Sequence, residues 1–151
     1  MKKRKRILLI LGVLLVAAAG IGGYIYKEYN RTHEDTADIK PDYSVAATDL
    51  ITEFESNEAG SNKKYWDKVL EASGTVKDIA KDERGFYSVI LGDTTSMSSV
   101  RCSMDSLHNK EASSLQKGNT VTMKGICTGF NADELLGSDV ILVRCLVVSK
   151  K

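Results

Sequence analysis

Residues 69–91 of the chain are VLEASGTVKDIAKDERGFYSVIL, a stretch that contains two predicted strands and the turn between them. Apolar and polar side chains alternate from Val69 to Ile79 and again from Phe86 to Leu91, which is the pattern of strands with one buried face. Gly85 lies in the turn. Gly74 interrupts the first strand, where a glycine permits the sharp coiling or bulge that a small barrel requires. The stretch therefore predicts the first two strands of a small, strongly coiled β structure.

The sequence after this stretch predicts three further strands. They are Ser99 to Met104, Thr120 to Thr128 and Val140 to Val148. A short helix fits between the first two of these strands, because Ser106, Ala112 and Leu115 precede Gly118, a residue suited to a left-handed C-cap. The five strands thus have one helix between the third and the fourth.

A longer helix is predicted before the first strand. Ala47, Leu50, Ile51 and Phe54 recur at positions i, i+3, i+4 and i+7, so their side chains share one face of a helix. Ser44 is the predicted N-cap of this helix.

This order of elements is that of an OB-fold, a small, partly open Greek-key barrel of five strands. The predicted fold class is therefore mainly β (α+β), with an N-terminal helix and a short helix between strands three and four. The alternative is an immunoglobulin-like sandwich, which needs about seven strands, whereas this sequence supplies five.

The N-terminal segment predicts attachment to a membrane. Residues 7–26 carry no ionisable acid or amine, and about 20 helical residues reach about 30 Å, the thickness of the hydrocarbon core. Five consecutive cations at residues 2–6 precede them, so the positive-inside bias predicts a cytoplasmic N-terminus and an extracytoplasmic C-terminal domain. A cleaved signal peptide is the alternative, because residues 17–19 are three alanines that could form a cleavage site.

The predicted organisation has four parts: a basic cytoplasmic tip (1–6), a transmembrane signal-anchor helix (7–26), a polar linker (27–44) and an OB-fold domain (45–151). The linker is charged and contains the only proline, Pro41. Without the five cations of the tip, 16 of the 21 Lys and Arg residues face 20 Asp and Glu residues. Because nucleic-acid affinity comes mainly from cations that neutralise phosphates, this acidic balance disfavours a general DNA or RNA binder.

The three cysteines share the alternation of the apolar positions in their strands. Cys102, Cys127 and Cys145 are therefore expected to face the barrel interior, where a free thiol behaves as a small apolar side chain. A disulfide between Cys102 and Cys145 is the alternative, because strands three and five are neighbours in an OB-fold. Metal binding is not predicted, since the sequence has two histidines, His33 and His108, and no C-x-x-C pair.

Neither catalysis nor a cofactor is predicted. The sequence lacks a G-x-S-x-G elbow, a phosphate loop and an H-E-x-x-H motif, and two scattered histidines do not form a Ser-His-Asp set. The carboxylate pairs Asp82-Glu83 and Asp133-Glu134 lie beside turns, where solvated acids are the ordinary explanation.

Two groups of residues are candidates for ligand binding. OB-folds bind ligands on the outer face of strands two and three, and if Val89 and Leu91 point inwards, that face is formed by Phe86, Ser88, Ile90, Arg101 and Ser103. The second group mixes cations with aromatic rings and comprises Lys63, Lys64, Tyr65, Trp66 and Lys68. We favour a structural role for the second group, in which the rings close the end of the barrel and the lysines are solvated.

A spread pattern of glycines, apolar residues and cysteines runs from Asn57 to the C-terminus. It comprises Asn57, Asn62, Tyr65, Lys68, Gly74-Thr75-Val76, Ile79, Val100, Cys102, Lys117-Gly118, Val121, Lys124-Gly125, Cys127 and Cys145. In this pattern the sequence resembles the bacterial tRNA_anti-like OB-fold family. The resemblance implies an OB-fold on a membrane-attached or lipid-anchored bacterial envelope protein of unassigned biochemical role, and by analogy of fold it implies nucleic-acid binding. From residues 2–26 we expect a single-pass protein of the bacterial cytoplasmic membrane. Where the family pattern has a small residue or glycine just before Lys68, this chain has Trp66-Asp67.

Three functions stay open on the sequence. The favoured one is a membrane-tethered binding module for a protein, peptide or glycan partner in the envelope. The second is a nucleic-acid binder that uses Phe86, Arg101 and the segment Lys63 to Lys68. The third is a hydrolase with an unrecognised site.

Overall fold

The computed structural model describes residue 12 and residues 16–25, 35–133 and 135–150, and the chain divides into two units, Met1–Glu34 and Asp35–Lys151. In the first unit, residues 16–25 are helical and form α1. No helix among the described residues has both the length and the apolar character needed to span a bilayer. The predicted tip, residues 7–11, 13–15 and 26 of the predicted span, and residues 27–34 of the predicted linker lie outside the described residues.

The second unit contains six strands and three short helices. Their bounds are β1 Tyr43–Ala46, α2 Ala47–Ser56, α3 Glu58–Tyr65, β2 Val69–Lys81, β3 Tyr87–Leu91, β4 Ser99–Met104, a 3-10 helix Asn109–Ser114, β5 Thr120–Asn131 and β6 Asp139–Lys150. All five strands predicted from the sequence are present as β2 to β6, and the short helix predicted between the third and fourth of them is the 3-10 helix.

The five long strands form a closed barrel. The strand order is β1-β2-β3-β4-β6-β5, and β2 also pairs with β5, which closes the sheet on itself. The pairing of β4 with β6 is parallel, whereas the other pairs within the barrel are antiparallel. This mixed five-stranded arrangement confirms the predicted OB-fold. The short strand β1 lies outside the barrel and pairs in parallel with the start of β2.

The barrel interior is filled by the alternate residues of each strand. Val89, Leu91, Val100, Cys102 and Leu142 are completely buried. The predicted apolar face of α2 is also buried, and Phe54 at its end is 1 % exposed. Burying a side chain of this kind stabilises the folded state by roughly 1.5–3 kcal/mol, so this layer supplies the main driving force of folding.

Gly125 is required where β5 crosses close to β6. A Cβ atom at Gly125 would collide with Sγ of Cys145 and would lie 3.1 Å from the carbonyl oxygen of Val143. A Cβ atom at Gly74 in β2 would likewise lie only 2.9 Å from Cβ of Ala47. At both positions the absence of a side chain allows close packing between neighbouring elements, and Gly74 is the glycine that we predicted to permit sharp coiling of the first barrel strand.

The three cysteine side chains are fully buried free thiols. Burial raises the pKa of Cys145 well above its ordinary value, and a hydrogen bond with Cys102 adds to that shift. Burial also raises the pKa of Cys127. The prediction of inward-facing thiols is confirmed.

The region before β2 differs from the prediction in three ways. The predicted N-cap Ser44 was wrong, because Ser44 lies within β1 and Ala46, which has no capping side chain, occupies the cap of α2. Residues 35–44, which the sequence predicted to be part of a linker, are grouped with the compact unit Asp35–Lys151. Helix α3 was not predicted, since only Ser61 and Tyr65 of its eight residues are buried and no apolar period marks it.

His108 ties the residues before β1 to the 3-10 helix. Its Nε2 atom lies 3.0 Å from Oδ1 of Asp35, and its Nδ1 atom lies 2.7 Å from Oε1 of Glu111. Oε2 of Glu111 accepts the backbone N–H of Val147 at 2.9 Å, so the cluster also contacts β6. Burial lowers the pKa of His108, but the hydrogen bonds with Glu111 and Asp35 outweigh it, and the pKa is raised above its ordinary value.

We expect the domain to lose stability as the pH rises through the titration of His108. Because the folded-state pKa is raised, the stabilisation is complete below the unfolded-state pKa of about 6.5 and is lost as the pH rises through the higher folded-state value. The free energy of urea unfolding, measured on the full chain in non-ionic detergent from about pH 5.5 to about pH 8.5, checks this expectation. His108→Gln should remove the slope in that range, and an unchanged slope in this variant would contradict the assignment.

Candidate ligand-binding face

Four of the predicted ligand-binding residues lie together on the outside of the barrel. Val89 pairs with Cys102, and both point inwards, so their neighbours point outwards. Ser88 is paired with Ser103, and Ile90 is paired with Arg101. Phe86 lies in the turn just before β3, where its side chain is 41 % exposed and its backbone N–H donates to Oδ1 of Asp82 at 2.8 Å.

The register extends this face across β6 and β5. Arg101 is paired with Ile141, and Ile141 is paired with Gly129. The residues Ile90, Arg101, Ile141 and Gly129 therefore form one row across four neighbouring strands, which we call the outer row. Three gaps between strands make the outer row roughly 14 Å long, about the length of four residues of extended chain.

Trp66 covers the far end of the outer row. A Cβ atom on Gly129 would lie 3.2 Å from Cζ3 of Trp66, so the indole ring lies directly on the glycine. The ring is nevertheless 58 % exposed. The outer row thus has an exposed aromatic ring at one end, and Phe86 flanks the hairpin at the other.

The backbone around Trp66 fixes this position. The N–H of Trp66 donates to the carbonyl of Asn62 at 2.9 Å and ends α3. The next residue, Asp67, has a φ of 58° and donates its N–H to the carbonyl of Cys127 at 2.8 Å. Because this left-handed turn is bonded to β5, the indole is held over the outer face of the barrel.

The aromatic and cationic residues around Trp66 have different roles. Tyr65 is 2 % exposed and its hydroxyl donates to Oε2 of Glu53 at 2.9 Å, which fits the structural role that we favoured for it. Nζ of Lys64 lies 4.5 Å from the centre of the Tyr65 ring and 2.9 Å from the same carboxylate oxygen. The hydrogen bonds with Tyr65 and Glu53 raise the pKa of Lys64, so this lysine is engaged and charged.

Arg101, the only cation of the outer row, is already paired. Its Nη2 and Nε atoms lie 3.0 and 3.3 Å from Oδ2 of Asp139, and the hydroxyl of Ser99 donates to the other oxygen of that carboxylate. At the β2 side, Asp78 is paired in register with Ile90, and a hydrogen bond from Lys117 lowers its pKa. The outer row therefore presents aliphatic surface and neutralised charge.

Acidic residues flank the face in the two connecting turns. The β2–β3 turn contains Asp82 and Glu83, and the β5–β6 loop contains Asp133. The backbone N–H groups of Leu136 and Leu135 lower the pKa of Asp133, so it is ionised at neutral pH. Among the described residues, no three His, Cys, Asp or Glu side chains converge as metal ligands.

The closed barrel, its helix between the third and fourth barrel strands and this outer face define an OB-fold protein. The tRNA_anti-like family model matches residues 1–147, and the chain belongs to that family. Searching the curated proteins gives no match.

A solved structure of similar fold is a lipoprotein from Klebsiella pneumoniae subsp. pneumoniae MGH 78578, which is described as a candidate nucleic acid-binding protein. The two chains are 16 % identical and superpose with a TM-score of 0.55, and the match covers 79 % of this chain and all of that one. At this identity the likeness shows a shared fold.

Sequence reasoning found the β3 and β4 part of the face and missed the rest. Ile141, Gly129 and Asp139 become part of it only through the parallel pairing of β4 with β6 and the pairing of β6 with β5. One signal was present in the sequence, namely the glycine directly after the predicted strand Thr120 to Thr128, because a glycine at such a position can mark a close approach by another group.

Proposed function

We propose that this chain is a membrane-tethered, extracytoplasmic binding module that holds an extended polypeptide segment on its outer row. The observation that carries the proposal is the combination of an exposed Trp66 with a paired Arg101 on the same face. Exposed aromatic rings next to aliphatic side chains are typical of protein-binding surfaces, where they supply large contact area at low entropic cost.

The dimensions of the outer row fit such a segment. Ile90 and Ile141 are half-buried and lie on either side of Arg101, so they offer shallow apolar contacts in the same row as Gly129, which the indole of Trp66 covers. The guanidinium of Arg101 can donate hydrogen bonds to peptide carbonyl groups, and the carboxylate of Asp139 can accept them from peptide N–H groups, so the pair does not require a charged ligand.

The membrane tether is supported by the N-terminal sequence and by the description of the structural neighbour. Residues 2–6 are cationic and residues 7–26 are apolar, and the structural neighbour is a lipoprotein. The first cysteine of this sequence is Cys102, so the tether that we propose is the apolar segment and not a lipid on cysteine.

This placement predicts that protease added outside spheroplasts digests the domain. Protection of the domain from the added protease would contradict the placement.

Nucleic-acid binding is the second candidate function, and the description of the structural neighbour favours it. The electrostatics of this chain oppose it. The unit Asp35–Lys151 has 18 acidic and 14 basic residues, and the one cation in the outer row is neutralised by Asp139. The outer row itself therefore offers no unpaired cation to release counterions from phosphates, whereas Lys63 and Lys68, on either side of Trp66 in the sequence, are exposed.

We expect no saturable binding of a labelled 12-nucleotide oligothymidylate to the full chain up to roughly 100 µM at low salt, because non-specific affinity depends on free cations. Asp139→Asn, which frees Arg101, should bring binding into that range. Glu83→Gln removes the same charge in the β2–β3 turn and is the matched control, for which no gain is expected. Tight wild-type binding that falls steeply with added salt would instead establish the nucleic-acid function.

A further inference from the structure

A second recessed surface, which we call the end groove, lies between the C-terminal end of α2, the start of α3 and the loops before β4 and β6. Its volume is about 450 Å³, and its lining includes Phe54, Glu55, Glu58, Met97, Phe130 and Asp133. None of these residues belongs to the outer row.

The end groove has an apolar floor and an unusually apolar edge. The rings of Phe54 and Phe130 stack at 5.2 Å beneath it. Met97 is 64 % exposed at its wall, and Leu135 and Leu136 in the adjoining loop are 84 and 74 % exposed. Large apolar side chains clustered in the open are a mark of protein-binding surfaces.

Hydrogen bonds hold the walls of the end groove in place. The hydroxyl of Ser98 donates to Oε1 of Glu55 at 2.6 Å and accepts the backbone N–H of Ser138 at 3.1 Å. The N–H of Ser99 donates to the carbonyl of Ser138 at 2.8 Å. These bonds join α2 to both loops. The walls are therefore already ordered in the folded protein, and a ligand would not have to bear the entropic cost of ordering them.

The ionisable side chains that line the end groove are acidic, and one cation lies next to the lining, since Nζ of Lys77 donates to the carbonyl of Ser98 at 2.9 Å. The lining contains three carboxylates, Glu55, Glu58 and Asp133, and no Lys or Arg. Backbone N–H groups keep Asp133 ionised, as described above. A phosphate backbone or an anionic glycan would be repelled here, whereas a cation beside an apolar anchor would be attracted.

We propose that the end groove docks a cationic polypeptide segment in which an aliphatic or aromatic side chain is flanked by Lys or Arg. The anchor side chain would contact Met97 and Phe130, and the flanking cations would face Glu58 and Asp133. This inference rests on the proposed function, since it names the chemical class of polypeptide that the module takes, but it concerns a different surface from the outer row.

The test is a titration of the full chain in non-ionic detergent with a labelled hexapeptide, Leu-Phe flanked by two lysines on each side. Saturable binding at low salt is expected. Glu58→Lys should weaken it at least about 10-fold, and Met97→Gln should weaken it about 5-fold, because buried anchors at the centre of such contacts dominate affinity. The same peptide with glutamates in place of lysines should not bind.

Two control variants separate this proposal from simpler explanations. Glu83→Lys makes the same charge change in the β2–β3 turn, outside the lining of the end groove, and should leave the affinity within about 2-fold when the titration is repeated at about 0.1 M salt, where surface charges more than about 10 Å apart are largely screened. Equal losses in Glu58→Lys and Glu83→Lys would overturn the proposal, as would the absence of peptide binding. Trp66→Ala should have no effect on this peptide. If Trp66→Ala abolishes binding and Glu58→Lys does not, the end groove is wrong while the outer row stands.

Discussion

Phe54→Ala is expected to lower the free energy of unfolding by about 3–5 kcal/mol. The Phe54 ring is 1 % exposed, stacks on Phe130 at 5.2 Å and lies 5.9 Å from the ring of Tyr65. Its removal would leave a cavity where α2 meets the open end of the barrel, and these neighbouring rings are too constrained to fill it. Since domains of this size are stable by about 5–15 kcal/mol, the loss is a large fraction of the total. Urea unfolding of the full chain in non-ionic detergent measures it.

The matched control for this variant is Phe86→Ala. It deletes the same atoms from a ring that is 41 % exposed in the β2–β3 turn, so a change within about 0.5 kcal/mol is expected. If the two variants lose similar stability, α2 does not pack on the barrel as described. That outcome would also remove the floor of the end groove.

Trp66→Ala is expected to weaken partner binding at the outer row at least about 30-fold, which corresponds to about 2 kcal/mol, while leaving stability nearly unchanged. The indole is 58 % exposed and covers Gly129, so its loss removes contact area from the binding face and little from the core. The readout is the yield of adducts formed in cells by a photo-crosslinking amino acid placed at Ser88 of the full chain.

Two further variants make the Trp66 result specific. Trp66→Phe keeps an aromatic ring over Gly129 and should retain most of the adduct yield. Leu107→Ala removes an apolar side chain that is 76 % exposed but lies in the β4–β5 connection, outside the outer row, and should have no effect. Loss of adducts in Leu107→Ala as severe as in Trp66→Ala would mean that general surface apolarity, and not the outer row, is responsible.

The barrel was predictable because its strands obey simple alternation. Ser99–Met104 alternates without interruption, and its predicted bounds agree with those of β4. The ends of β5 and β6 were less predictable, because the register shifts near Gly129 and again at Arg144, whose φ is 53°. Each shift moves the following side chains to the other face, which a period of two residues cannot anticipate.

The N-terminal elements of the domain could not be predicted from the sequence for other reasons. Strand β1 has four residues and is held by parallel pairing with Leu70 to Ser73, a long-range contact that leaves little pattern in its own sequence. Asp35 and Ala37 join the domain through single polar contacts, with His108 and with Nζ of Lys124. Contacts of this kind leave no periodic pattern in the sequence, so this charged segment was predicted to be a linker.

The candidate face could be predicted in part. Ser88, Ile90, Arg101 and Ser103 follow from the inward positions of their neighbours, whereas the neutralisation of Arg101 does not. Asp139 is 38 residues away in sequence and reaches Arg101 only because β4 and β6 lie side by side. The pairing of Arg101 with Asp139 changes the class of ligand that we expect. An unpaired arginine would favour a phosphate group, whereas an arginine already paired with a carboxylate does not.

The most direct test of the central claim is the identity of the partner captured from Ser88. The full chain, with the photo-crosslinking amino acid at Ser88 or, as a control, at Ser113 on the 3-10 helix, is irradiated in spheroplasts, and the adducts are treated with protease or with nuclease. We predict that adducts form from Ser88 and not from Ser113. Protease added outside the spheroplasts should remove these adducts, nuclease should leave them intact, and Trp66→Ala should reduce their yield. Adducts that nuclease digests, or equal adducts from Ser113, would contradict an outer row built to hold a polypeptide.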